Sequence, residues 1–127
     1  MFGKTLILVA GAALTLAAMA EPAKKHATVS FSEDIFPILQ TRCGACHAPG
    51  GEGFETSGLD LRSYQGLMKG TKFGPIVVAG DDVTSNLTVL LDGRADKSLQ
   101  MPHNKKKLTT CDRDLIRKWI REGALDN

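Results

Sequence analysis

Five consecutive residues, Cys43-Gly44-Ala45-Cys46-His47, constrain this chain more than any other feature. Cysteines at i and i+3 with a histidine at i+4 fall on one face of a helical turn. Two thiols so placed can bond to the two vinyl groups of a haem while the imidazole rises beneath the iron, and C-x-x-C-H is the attachment pattern for that chemistry. Zinc bound by Cys43, Cys46, Cys111 and a histidine is the rival reading, but a zinc ribbon pairs two C-x-x-C units, and the chain has one. A thioredoxin-like redox pair needs a βαβ pattern, which is absent. The pentapeptide therefore predicts one covalently bound haem c with its iron, attached through Cys43 and Cys46, with His47 as the proximal iron ligand.

The amino terminus sets the compartment. Met1 to Lys4 carries one positive charge, Leu6 to Ala20 is an uncharged run rich in Leu, Ala and Val, and Ala18-Met19-Ala20 puts small residues where a signal peptidase reads them. This pattern predicts a signal peptide over residues 1–20, cleaved after Ala20. A flexible leader over 21–30 and one domain over 31–127 then follow. The apolar run is short of the roughly 20 residues that a membrane span needs. A periplasmic or otherwise exported protein is expected, tethered to the membrane if the segment is retained. A domain of roughly 100 residues buries only about 60–65% of its unfolded surface, so an embedded haem would complete its core. With 16 basic and 14 acidic residues, the net charge of +2 is too small an excess to point to nucleic acid.

Local patterning predicts short helices and long connections. Phe31 to Cys43 reads as an amphipathic helix with Asp34 as N-cap, Pro37 tolerated in its first turn, and Ile35, Ile38 and Leu39 on one face. Ala48 to Gly58 reads as a glycine-rich loop. Leu61, Tyr64, Leu67 and Met68 recur at helical spacing before Gly70, Ser85 to Leu91 reads as a further short helix, and Asp92 to Lys107 as irregular chain. The last helix is the clearest: Thr109 can cap it with Asp112 in the capping-box position, Leu115, Ile116, Trp119 and Ile120 form a stripe, and Gly123 ends it. The whole describes an all-α fold whose long loops wrap a cofactor.

The sixth iron position is approached by elimination. Met1 and Met19 leave with the signal, His26 sits in the polar leader, and Met68 lies on an apolar helical stripe. Met101 lies in irregular chain just before the final helix, stiffened by Pro102, and is the expected distal ligand, with His103 as its rival. His/Met ligation raises the reduction potential and leaves no vacant site for a substrate, which favours electron transfer over enzyme chemistry.

These residues resemble the class I cytochrome c superfamily, most closely the planctomycete-type cytochrome c domain. The similarity runs from about Phe31 to Ala124. It rests on Asp34-Ile35-Phe36-Pro37-Ile38-Leu39, the pentapeptide, Gly58-Leu59-Asp60-Leu61, Tyr64-Gln65-Gly66-Leu67, Gly80-Asp81, Ser85-Asn86-Leu87, Met101-Pro102 and Trp119-Ile120-Arg121-Glu122-Gly123-Ala124. The resemblance implies an all-α cytochrome c fold with its first and last helices packed near the haem edge, and Met101 as distal ligand. The chain departs from the pattern at His103, where a second proline is common, and at Cys111.

The sequence-based reading is thus a monohaem electron carrier, not an enzyme, cycling Fe(II)/Fe(III) between redox protein partners, with no nucleic acid and no small-molecule substrate. Two alternatives stand beside it: a subunit tethered to a membrane-bound electron-transfer complex, and a haem sensor or peroxidase with an open sixth position. Cys111 is expected to be a buried, inert thiol. Lys105 to Lys107 with Arg113, Arg117 and Arg121 form either a basic docking surface or, the preferred reading, a solvated face. Glu52, Glu55 and Asp60 are expected to be solvated.

Overall fold

The computed structural model describes residues 28–127, and the expected signal peptide, His26 and most of the leader lie outside the described residues. Five α-helices make up the domain: α1 (Phe36–Arg42), α2 (Glu52–Ser57), α3 (Tyr64–Lys69), α4 (Asn86–Asp92) and α5 (Thr110–Arg121). Among the described residues there are no strands, only two isolated bridges, Thr71 with Gly74 and Val78 with Asp81. No described helix is long and apolar enough to cross a membrane.

The chain enters the core earlier than the sequence suggests. A widened turn, Phe31–Ile35, precedes α1 and is capped by Ser30, whose hydroxyl accepts from Glu33 N–H at 3.2 Å. Asp34 is not the cap. Its carboxylate instead accepts from Ser30 N–H at 2.8 Å, the reciprocal half of a capping pair shifted by one residue because the turn is wide. Ile35 and Leu39 are buried. Two further residues assigned to the leader are held as well: Val29 is buried, and Thr28 N–H and Oγ1 both bond the Glu122 carboxylate.

α5 closes the molecule. The Thr109 hydroxyl accepts from Asp112 N–H at 3.1 Å, and Ile116, Trp119 and Ile120 are buried on its inner face. α5 packs on α4 and on the Phe31–Ile35 turn. The Phe31 ring lies 5.5 Å from Trp119 and 5.2 Å, edge-on, from Tyr64, a geometry that adds to simple burial. Tyr64 and Trp119 satisfy their polar ends on the carbonyls of Ala124 and Leu125. One core thus draws on all parts of the chain from Val29 to Ala124.

Three expectations change. The glycine-rich segment contains α2. A short 3-10 turn, Lys97–Leu99, interrupts the irregular segment before α5. Cys111 is exposed rather than buried: at 100° per residue it sits about 140° from Ile116 and about 180° from Ile120, on the outer side of the helix. The three arginines of α5 are paired as well. Arg113 and Arg117 bridge Asp92, and Arg121 bridges Asp82 at 2.8 Å.

Candidate functional site

The attachment pentapeptide is a turn wound onto the end of α1. Cys43 and Gly44 N–H both bond Leu39 O at 2.9 Å, and Cys46 and His47 N–H both bond Cys43 O, at 3.1 and 3.0 Å. These i+3 and i+4 bonds place Cys43, Cys46 and His47 on one backbone turn. Cys46 is exposed, Cys43 half-buried against the core, and His47 buried.

Two neighbouring segments hold the turn. Phe54 N–H of α2 bonds Cys46 O at 2.8 Å, and Leu61 N–H bonds His47 O at 2.8 Å. Gln40 Nε2 then bonds Leu61 O at 2.6 Å, tying α1 to the same strap. α2 lies so close to the turn that no side chain fits at two of its positions. A Cβ on Gly51 would collide with the carbonyl oxygen of Cys46, and one on Gly53 would sit 2.7 Å from His47 Cε1 and 2.9 Å from Nδ1. Sequence reasoning missed Gly51, Gly53, Leu59 and Gln40. Gly51 and Gly53, four and six residues after His47, read locally as loop, and only their contacts with Cys46 and His47 give the reason for them.

Burial sets the protonation states. It pushes the His47 pKa down from 6.5, the Leu59 carbonyl opposing only in part, and Nδ1 is buried without a hydrogen bond of full geometry. Burial thus favours the neutral imidazole, the form that keeps a lone pair for a metal. Burial likewise pushes the Cys43 thiol up to about 11, against the lowering effect of Arg42 and Lys105.

Met101 is half-buried against the same core that Cys43 packs on. Its N–H bonds Leu90 O at 3.3 Å, and the following Pro102 is buried while His103 is exposed. The chain beyond it returns to the attachment turn, where Arg42 Nη2 bonds Lys106 O at 2.7 Å and Lys105 acts on the Cys43 thiol. Met68 is half-buried on the core-facing side of α3. Among the described residues no three His, Cys, Asp or Glu side chains converge as a metal-ion cluster, and Cys111 stands apart on α5.

The donor set fits a haem. Two free thiols and a buried neutral imidazole with an unpartnered ring nitrogen share one rigid turn, and a methionine-bearing segment folds back towards it. In a domain that is helical and strandless among the described residues, these features are consistent with a cytochrome c-type domain. Residues 43–104, just under half of the chain, match the family model described as Planctomycete cytochrome C. That match starts at Cys43 and ends three residues after Met101. A domain of this type implies covalently bound haem c and a cytochrome-type electron carrier. No curated protein and no solved structure matches the chain.

Proposed function

We propose that this chain is an exported monohaem c-type cytochrome that passes single electrons between redox proteins. The observation that carries the reading is the placement of a buried His47 on the same hydrogen-bonded turn as Cys43 and Cys46. In this reading Cys43 and Cys46 hold the haem through thioether bonds, His47 is the proximal iron ligand and Met101 the distal one. When bound, the haem supplies a one-electron Fe(II)/Fe(III) couple.

The chain's own residues do the rest. Covalent attachment retains the cofactor in a domain too small to rely on burial alone. The bonds from Phe54 and Leu61 keep the turn from relaxing, so the backbone would present His47 to the iron from one place. The half-buried setting of Met101, tied to α4 through Leu90 O, favours it over the exposed His103. With His47 and Met101 both bound to the iron, no coordination site would be left for a substrate, which supports a carrier over a sensor or peroxidase. Export rests on the pattern of residues 1–20, and mass spectrometry of the mature amino terminus distinguishes a free carrier starting at Glu21 from a tethered subunit.

The test is Met101→Ala. The resemblance to class I cytochromes c leads us to expect a weak long-wavelength band of Met–Fe(III) in the oxidised protein. That band is expected in wild type and in His103→Ala, and lost in Met101→Ala with the haem still attached. A band surviving in Met101→Ala would refute the ligand assignment.

A further inference from the structure

We infer that Gly53 is the positioning residue that fixes the plane of the His47 imidazole. This inference rests on the function proposed above. A Cβ at position 53 would lie 2.7 Å from His47 Cε1, 2.9 Å from Nδ1 and 3.0 Å from Cys46 O. Carbon atoms pack best at about 3.5–4.0 Å, so ring or helix must give way by about 1 Å if a methyl group is placed there.

The ring yields before the helix does. α2 is anchored along its length: Phe54 N–H bonds Cys46 O at 2.8 Å, Glu55 N–H bonds Gly51 O at 3.0 Å, and Lys72 N–H bonds Ser57 O at 2.8 Å. The imidazole is held less firmly: the Leu59 carbonyl acts on it, but its buried Nδ1 lacks a fully formed hydrogen bond. Beside the Leu59 carbonyl, contact holds the ring plane, and the contact along its Nδ1–Cε1 edge is the bare backbone of Gly53. The choice of glycine is not explained by helix formation. Gly53 is the second residue of α2, and alanine has the higher helix propensity, so the helix itself does not call for glycine there.

The test compares Gly53→Ala with Gly58→Ala in the haem-loaded protein. Gly58 ends α2 at φ +76°, and an added Cβ there has no contact closer than 3.6 Å, to Lys72. Alanine at 58 loosens α2 through backbone strain without approaching His47. The readout is the pattern of haem methyl shifts in the proton NMR spectrum of the oxidised protein, which follows the orientation of the axial imidazole. We expect Gly53→Ala to shift and reorder these resonances, and Gly58→Ala to lower the denaturation midpoint while leaving them in place. An unchanged pattern in Gly53→Ala, or equal changes in both variants, overturns the inference. If Gly53→Ala does not accumulate, the reduced wild-type protein decides. A cross-peak between a Gly53 Hα and His47 Hε1 supports the contact, and its absence overturns it. Wild-type protein without covalent haem would overturn the proposed function and this inference with it.

Discussion

Asp92→Asn removes one negative charge from among three guanidinium groups and leaves the shape of the side chain almost unchanged. The carboxylate is 8% exposed and is bridged by Arg113 at 3.0 Å, by Arg94 at 3.4 Å and by Arg117. Removing one partner of a fully buried ion pair costs roughly 3–5 kcal/mol, because the surviving charge is left uncompensated. Here water reaches the survivors: Arg113 and Arg117 are 19% and 24% exposed, Arg94 is 42% exposed, and Arg117 keeps Asp114 at 2.9 Å. Halving the buried value for that screening gives about 2 kcal/mol. In urea this lowers the unfolding midpoint by about 1–2 M. Burial pushes the Asp92 carboxyl up, but hydrogen bonds from Arg117 and Arg113 outweigh it and hold the pKa below the usual 3.8. A carboxylate whose pKa is lower in the folded state adds stability that is complete above its unfolded value and is lost as pH falls through the folded one. The gap between wild type and Asp92→Asn is therefore full at neutral pH and closes as pH falls below 3.8. Urea unfolding followed by far-UV circular dichroism across that range measures it. A variant as stable as wild type at neutral pH, or a gap that does not narrow in acid, would refute the reasoning.

Two further expectations follow from α5. Thr109→Ala removes the hydroxyl that accepts from Asp112 N–H and should cost about 1 kcal/mol in urea unfolding; Thr109→Ser should restore most of it. Cys111 is exposed, so with Cys43 and Cys46 held in thioether bonds the folded protein should react with one equivalent of a maleimide per chain, and Cys111→Ser with none.

How much of this was legible in the sequence differs element by element. α5 could be read end to end because its signals are local: a capping threonine, an apolar stripe at helical period and a terminating glycine. The pentapeptide was legible for the same reason, since its geometry is contained in five residues. The start of α1 was misplaced because Ser30 and Asp34 cap across a widened turn, a register that no local rule marks. α2 was hidden by its glycines. Gly51 and Gly53 suggest a loop, yet they are there because Cys46 and His47 press against them, which is a tertiary cause. Cys111 was misjudged from residue type, although its angle from Ile116 and Ile120 already put it outside. The pairing of Arg113 and Arg117 with Asp92 joins residues more than twenty apart, so spacing along the helix face could not reveal it.

Intact mass spectrometry of protein purified from a host that matures c-type cytochromes tests the central claim most directly, read beside Cys43→Ala/Cys46→Ala prepared in the same way. The account predicts that denatured wild-type protein keeps the mass of one haem per chain and that the double variant loses it. Wild-type protein with no added mass would contradict the account.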